Sequence, residues 1–89
     1  MSNRELGDAV VERSLRAFIV DSFLFGQDSR FSDDDSFINM GILDSTGVLE
    51  IVAFVETTYD IQVEDHELSA ENMDSIRRLA TYVRRKRSN

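Results

Sequence analysis

The serine with the best-defined chemical setting in this sequence is Ser45, which follows Asp44 and precedes Thr46 and Gly47. Asp44 and Ser45 are both residue types that favour the N-terminal cap of a helix, and an amphipathic segment follows them. A helix N-terminus offers free backbone N–H groups and the positive end of the helix dipole, so it favours a phosphate esterified to the hydroxyl group. The pattern leaves two interpretations open: a serine that bears a phosphate ester, and a serine that only caps a helix.

The same serine is poorly equipped to act as a catalytic nucleophile. Such a serine needs an adjacent base and an oxyanion hole, and the single histidine, His66, lies in a separate acidic segment. The chain has no cysteine, and the run Asp33-Asp34-Asp35 lacks the alternating acids, central glycine and closing glutamate of an EF-hand loop. We therefore predict no catalytic residue and no metal site, with His66 at the surface.

Length and charge narrow the function classes further. The chain has 89 residues, of which 42% are apolar, and this suits one domain over residues 1–89 with an ordered core at about 4–86. The net charge is −7, because residues 17–76 hold fourteen acids and one base, whereas residues 77–87 hold six bases and no acid. Such an acidic body repels nucleic acid and attracts basic protein surfaces. Neither a membrane-spanning run nor a signal peptide is present in the sequence, so we expect a cytoplasmic protein with no nucleic-acid or membrane partner.

The elements that must position Ser45 are three longer helices, one short helix and one long ordered loop. Apolar spacing and capping residues place the longer helices at 4–25, 45–59 and 76–87, the short helix at 64–68 and the loop at 26–41. Ser2 and Glu5 would cap the first helix, and Gly26 would end it. No segment is long enough for a strand, so the predicted fold is all-α, a small four-helix bundle.

The predicted core consists of apolar residues that recur at helical spacing. They are Val11, Leu15, Phe18 and Phe25 in the first helix, Val48, Ile51, Val52, Val55 and Tyr59 in the second, and Ile76, Leu79, Ala80 and Val83 in the last. Four apolar loop residues are expected to pin the loop to this core, namely Phe31, Phe37, Ile38 and Met40. The bases of residues 77–87 either complement the dipole of the last helix, which we favour, or contact RNA or an anionic lipid.

Several segments of the chain resemble, in order and spacing, the acyl carrier protein family. They are Asp34-Asp35-Ser36-Phe37, Gly41-Ile42-Leu43-Asp44-Ser45, Leu49-Glu50-Ile51-Val52, Tyr59-Asp60-Ile61-Gln62-Val63 and Asn72-Met73-Asp74-Ser75-Ile76. The resemblance implies a four-helix bundle in which Ser45 receives 4′-phosphopantetheine from coenzyme A. It also implies that the thiol of this group carries an acyl or aminoacyl cargo as a thioester, and that the protein is a carrier and not an enzyme.

The resemblance further implies three kinds of partner. They are a phosphopantetheinyl transferase, an acyl- or amino-acid-activating ligase, and an acyltransferase or synthase that takes the cargo, each working with a monomeric carrier. The residues that we predict to contact such partners are Asp44, Thr46, Leu49, Glu50 and Glu56.

Three residues depart from the pattern of the fatty-acid-synthesis carriers, at positions that face partners in that family. Thr46 stands where leucine is usual, Gly47 where an acid is frequent, and Ala53 where methionine is frequent. The chain is more similar here to free-standing carriers that serve one activating ligase, including those that accept amino acids. The alternatives are an acidic helical adaptor without a prosthetic group and a calcium-binding regulator.

Overall fold

The computed structural model describes residues 10–24, 26 and 31–88, and in this part of the chain all regular structure is helical. The elements are α1 (Val11–Phe23), α2 (Ser45–Tyr59), a 3₁₀ helix (Asp65–Glu67), α3 (Ala70–Met73) and α4 (Ile76–Ser88). Three long helices and a short one confirm the predicted all-α four-helix bundle. Residues 4–9, the Ser2 and Glu5 cap and Phe25 lie outside the described residues.

The end of helix α1 lies beside Gly26, the residue that the sequence predicts to end it. Gly26 has a φ of +83°, a left-handed conformation that glycine adopts without strain. Its N–H group and that of Leu24 both donate to the carbonyl oxygen of Val20, at 3.0 and 3.1 Å. These bonds satisfy a carbonyl group at the end of the helix, so α1 stops at Phe23.

Helix α2 has the predicted bounds, Ser45–Tyr59. Asp44 is its N-cap, with extended backbone and a side chain that accepts a hydrogen bond from the Gly47 N–H group. Asp60, in the left-handed conformation with a φ of 55°, closes the other end. Ser45 is therefore the first residue of the helix and not its cap.

Only two of the four apolar loop residues pin the loop. Phe31 and Phe37 are buried, with ring centroids 6.3 Å apart. Ile38 and Met40 are 56% and 43% exposed, so the prediction that they pin the loop is wrong. Hydrogen bonds from residues 36–38 to Asp74, which precedes α4, also hold this part of the loop.

Asp74 is bonded to three consecutive loop residues. Its carbonyl oxygen accepts from the Phe37 N–H group at 3.0 Å, and its carboxylate accepts from the Ile38 N–H group at 3.0 Å and from the Ser36 hydroxyl group. These bonds hold the backbone of residues 36–38, although Ile38 faces solvent.

The core lies where α1, α2 and α4 meet. Its fully buried side chains include Leu15, Ile19, Phe37, Ile51, Val55, Ile76, Leu79, Tyr82 and Val83. Phe18, Val48, Val52 and Tyr59, which the spacing placed in the core, are half-buried at its margin. Among the described residues Tyr82 is the largest fully buried side chain, and the apolar spacing did not include it.

The predicted turn at 64–68 is a 3₁₀ helix, and the turn α3 that follows was not predicted. Met73 is the buried residue of α3. The segment is attached to α4 through Glu67, whose Oε1 accepts from the Tyr82 hydroxyl group at 2.8 Å and from Lys86 Nζ at 2.9 Å. Polar contacts of Glu67 and the burial of Met73 thus both hold this segment in place.

The bases of residues 77–87 mostly act within the molecule. Side-chain nitrogens of α4 donate to groups on four other parts of the chain. The pairs are Arg77 with Asp34, Arg78 with the carbonyl oxygen of Ala70, Arg84 with Glu12, Arg85 with Asn72, and Lys86 with Glu67. These contacts go beyond the dipole role that we favoured, because they tie α1, the loop and α3 to α4.

Candidate functional site

Ser45 lies exposed at the first position of α2. Asp44 Oδ1 accepts from the Gly47 N–H group at 2.9 Å, and the Asp44 carbonyl oxygen accepts from the Val48 N–H group at 3.2 Å. In the described part of the chain, no group accepts from the N–H groups of Ser45 and Thr46. Two unpaired N–H groups and the positive end of the helix dipole therefore lie beside the Ser45 hydroxyl group.

The surroundings of Ser45 offer no means of activating it. Its hydroxyl group has no hydrogen-bond partner among the described residues, and the carboxylate of Asp44 is engaged by Gly47. His66 is exposed on the 3₁₀ helix, as predicted. The site can present a hydroxyl group to another enzyme, but it lacks the base that a nucleophilic serine needs.

The chain that leads into Ser45 is fixed by a tight turn. The Ile42 N–H group donates to the Phe37 carbonyl oxygen at 2.9 Å, and the Gly41 N–H group donates to that of Ile38 at 3.0 Å. Gly41 has a φ of +74°, which a residue with a side chain adopts only with strain. Leu43 is buried just before the cap, so the chain is anchored directly ahead of Ser45.

An apolar crevice of about 190 Å³ opens beside the start of α2. It lies between the loop, the first turns of α2 and the segment around α3. Its walls are Ile38, Leu43, Val48, Leu68, Ala70 and Met73, with Ser69 and Asp74 at the edge. Because Leu43 and Val48 flank Ser45 in sequence, the crevice is within reach of a short group attached there.

A second, shallow depression of about 450 Å³ lies beside the same helix start and includes Phe23 of α1. We call it the Phe23 recess; its walls are Phe23, Gly41, Ile42, Leu43, Asp44, Thr46, Gly47 and Glu50. Asp44 and Thr46, the two neighbours of Ser45, both line it. Sequence neighbours of Ser45 thus line both an apolar crevice and an acid-rimmed recess.

The predicted partner contacts are unevenly placed. Asp44, Thr46 and Glu50 are exposed near the start of α2, and Leu49 is 61% exposed. Glu56 lies near the other end of α2, half-buried, and its Oε2 accepts from the Val63 N–H group at 2.9 Å. The structure thus brings the first four together around Ser45 and leaves Glu56 apart from them.

The interpretation of Gly47 as a partner-facing position is wrong, because the residue is buried. A Cβ atom there would lie 2.7 Å from Leu43 Cδ2 and 3.1 Å from Phe23 Cε1. The missing side chain lets these two residues pack against the first turn of α2. Thr46 and Ala53 are exposed, as predicted.

Exposed apolar residues near the site were missed by the sequence analysis. Ile38 and Leu68 lie at the crevice with 56% and 39% exposure. The apolar character of Ile38 indicated burial, whereas in the structure its side chain is exposed and its N–H group donates to Asp74.

The three consecutive acids of the loop do not converge. Asp33 pairs with Arg16 at 3.0 Å, Asp34 pairs with Arg77, and Asp35 accepts from the Ser32 N–H group at 2.8 Å. Among the described residues, no group of three or more histidine, cysteine, aspartate or glutamate side chains is arranged to hold a metal ion. No helix in the described ranges is both long and apolar enough to cross a membrane.

Comparisons with known proteins agree with this geometry. A family model described as a phosphopantetheine attachment site matches residues 24–83. A chain from the crystal structure of an FAD-dependent dehydrogenase has a similar fold, with a TM-score of 0.68 and 24% sequence identity. That likeness covers 76% of this chain and 96% of the other, and at this identity it shows the fold alone. No curated protein sequence matches the chain.

Proposed function

The chain belongs to the phosphopantetheine attachment site family, whose model covers residues 24–83, and from this premise we propose that Ser45 bears the prosthetic group. Members of the family are non-catalytic carriers with covalently attached 4′-phosphopantetheine. The question for this chain is which hydroxyl group is modified, and what the carrier holds.

The observation that supports Ser45 most strongly is its exposed hydroxyl group at the start of a long helix. Among the other serines in the described ranges, Ser14 is half-buried, Ser22 lies in the last turn of α1, and Ser69 is exposed but precedes only the four-residue helix α3. The hydroxyl groups of Ser32 and Ser88 are engaged in hydrogen bonds with the Asp34 N–H group and the Arg84 carbonyl oxygen. Ser36 and Ser75 already use their hydroxyl oxygens in hydrogen bonds, and Ser75 is buried. Ser45 combines exposure, an unengaged hydroxyl group and a helix N-terminus that favours an added phosphate.

The residues around Ser45 fit such a group. The unpaired N–H groups of Ser45 and Thr46 suit the phosphodiester. The apolar crevice suits part of the arm or a small apolar cargo, since a cavity of about 150 Å³ already accepts benzene in another protein. When bound, the group supplies a terminal thiol that carries the cargo as a thioester.

The modifying enzyme must supply the catalysis. The Ser45 oxygen forms a bond to the phosphorus atom that carries the pantetheine, the pyrophosphate linkage of coenzyme A breaks, and adenosine 3′,5′-bisphosphate leaves. The proton of the hydroxyl group passes to a base of the transferase, because Ser45 has no such base beside it.

We propose that the cargo is an acyl or aminoacyl group loaded by one dedicated ligase and passed to an acyltransferase or synthase. Support comes from the exposed face of α2, where Thr46 and Ala53 are small and Leu49 is the one large exposed apolar residue. Such a face presents less apolar area than the same face of carriers with leucine and methionine at these positions. A partner whose surface matches this shape then selects this carrier over those others.

The test is the intact mass of the protein after incubation with coenzyme A and a phosphopantetheinyl transferase. The wild type and the control Ser22→Ala should each gain one phosphopantetheinyl unit, whereas Ser45→Ala should gain none. A wild type that stays unmodified with several competent transferases would favour an acidic adaptor without a prosthetic group.

A further inference from the structure

The base-rich end of the chain brings three arginine side chains together at the surface. They border a depression of about 240 Å³ formed by residues of α3 and α4. We call its walls the α4 arginine patch; they are Glu71, Asn72, Arg77, Arg78, Thr81 and Arg85. All three arginines are exposed, so a basic surface is open to partners although the net charge of the chain is −7.

The spacing along α4 puts these basic side chains on one face of the helix. Residues that recur every three or four positions lie on the same side, and Arg77, Thr81 and Arg85 follow this spacing. Eight residues of helix rise about 12 Å, so the arginines form a row about two turns long. The small side chain of Thr81 lies between them and leaves room for a side chain of a partner.

The guanidinium groups of the patch are each held by one hydrogen bond within the molecule. The acceptors are Asp34 for Arg77, the carbonyl oxygen of Ala70 for Arg78, and Asn72 Oδ1 for Arg85. A guanidinium group has several N–H donors, so most donors of these three groups have no acceptor among the described residues. The side chains are therefore positioned in advance, which lowers the entropy cost of binding a partner.

A planar guanidinium group with unused donors suits an anionic group. Its fork of N–H groups binds both oxygens of a carboxylate or two oxygens of a phosphate, and such bonds are stronger than those to neutral acceptors. Glu71 lines the patch and Asp34 pairs with Arg77, which leaves three arginines against two acids. The excess charge is positive, so an anion is the complementary occupant.

The charge on the rest of the molecule favours a discrete anion over an extended one. Nucleic acids and anionic bilayers carry negative charge over areas wider than the patch, and the acidic body of this chain repels them. Charges more than about 8 Å apart are largely screened at physiological salt. A protein helix whose acids lie only at the row of arginines therefore avoids most of this repulsion.

We propose that the α4 arginine patch binds an acidic helix of a partner protein. This interaction goes beyond the proposed function and does not depend on the modification of Ser45. The patch includes no residue of α2, and α3 separates it from the apolar crevice, which Ala70 and Met73 line. A partner bound there can hold the carrier while Ser45 is free for another enzyme.

The binding test uses a designed peptide and NMR spectra of the full chain. The acidic probe is an alanine-based helix of about 15 residues with glutamates four residues apart, and the control peptide has glutamine at the same positions. With the acidic peptide we expect the largest backbone amide shifts at Glu71, Arg78, Thr81 and Arg85. The control peptide should cause much smaller shifts. No binding of the acidic peptide, or largest shifts elsewhere, would overturn the proposal.

Variants with matched charge locate the site. Arg78→Gln and Arg85→Gln each remove one charge from the patch, whereas Arg13→Gln removes one from an exposed position of α1. We expect each patch variant to weaken binding of the acidic peptide about 3- to 10-fold at low salt, and Arg13→Gln to weaken it less than about 2-fold. Equal affinities for all three would mean that the peptide senses only the overall charge.

A fourth variant blocks the patch without removing an arginine. Thr81→Glu puts a carboxylate four residues from both Arg77 and Arg85, and glutamate favours a helix more than threonine does. The fold should persist and binding of the acidic peptide should be lost, so this variant decides the test if an arginine variant loses stability. Unchanged binding by Thr81→Glu would overturn the proposal.

The other anionic partners are separate outcomes of the same experiment. Tighter binding of a short RNA strand or of phosphatidylglycerol vesicles than of the acidic peptide, lost in Thr81→Glu, would overturn the choice of a protein helix. Transfer of phosphopantetheine to Ser45 should be equal in Thr81→Glu and the wild type. Failure of the patch therefore leaves the carrier function standing, and failure of the modification leaves the patch to be judged by the peptide alone.

Discussion

The hydroxyl group of Tyr82 donates to Glu67 Oε1 at 2.8 Å and so ties the segment before α3 to the middle of α4. Tyr82 is fully buried, whereas Glu67 is half-buried and also accepts from Lys86. The segment held in this way continues into Leu68, Ala70 and Met73, which form one wall of the apolar crevice. The position of that wall therefore depends on a polar contact made some distance from Ser45.

The two tyrosines of the chain form a matched pair for testing this contact. Tyr82→Phe should lower the free energy of unfolding by about 1.5–3 kcal/mol, because it removes a part-buried hydrogen bond to a charged group. The Tyr59 hydroxyl oxygen is buried without a hydrogen-bond partner among the described residues, so Tyr59→Phe should be neutral or stabilising. Urea denaturation measures the free energy of unfolding of both variants. An equal decrease in the two would contradict a stabilising role for the Tyr82 hydrogen bond.

The carboxyl group of Glu67 makes the same contact sensitive to acid. Its pKa is lowered from 4.5 to about 2, chiefly by the hydrogen bond from the Glu64 N–H group and then by those from Lys86 and Tyr82. A group whose pKa is lowered on folding stabilises the fold above its unfolded pKa, and this is lost as the pH falls through its folded pKa. The free energy of unfolding should therefore fall between about pH 4.5 and 2. Glu67→Gln should show a shallower fall in this range, and parallel curves for the two proteins would refute the assignment.

The loop offers a second matched pair, one buried residue and one exposed residue. Phe37 is fully buried and Met40 is 43% exposed. Phe37→Ala should lower the free energy of unfolding by about 3–5 kcal/mol, whereas Met40→Ala should change it by less than about 0.5 kcal/mol. The melting temperatures of the two variants, measured by thermal denaturation, test this difference. Similar melting temperatures for the two variants would mean that the loop is anchored in another way.

The crevice limits the size of the cargo that it can shelter. Its volume of about 190 Å³ is close to that of a cavity that holds benzene in another protein. If the loaded carrier places its cargo there, the melting temperature should rise along a series of short acyl groups. It should then level off at about the size of benzene. A steady rise up to long fatty acyl groups would contradict a small fixed crevice.

The helices and their caps were largely predictable, because the signals for them are local. Asp44 before an amphipathic segment located the start of α2, and Gly26 marked the end of α1. These signals depend on hydrogen bonds within a few residues, which sequence spacing reveals.

The parts that could not be predicted depend on contacts between distant segments. Ile38 is exposed, and its N–H group is bonded to Asp74, far along the chain. Gly47 is buried because Phe23 of α1 takes the room of its side chain. Apolar character and helical spacing do not identify such distant contacts, so the crevice wall and the Phe23 recess could not be predicted from the sequence.

The most direct test of the central claim is to locate the phosphopantetheinyl unit within the modified protein. Ser45 and Thr46 are adjacent and exposed, and each carries a hydroxyl group, so an intact mass alone does not show which of them is modified. Fragmentation mass spectrometry of the peptide that contains both residues shows which of them carries the added mass. The account predicts that every fragment carrying the added mass includes Ser45, also in a Thr46→Ala variant. Modification at Thr46, or modification that persists in Ser45→Ala, would contradict it.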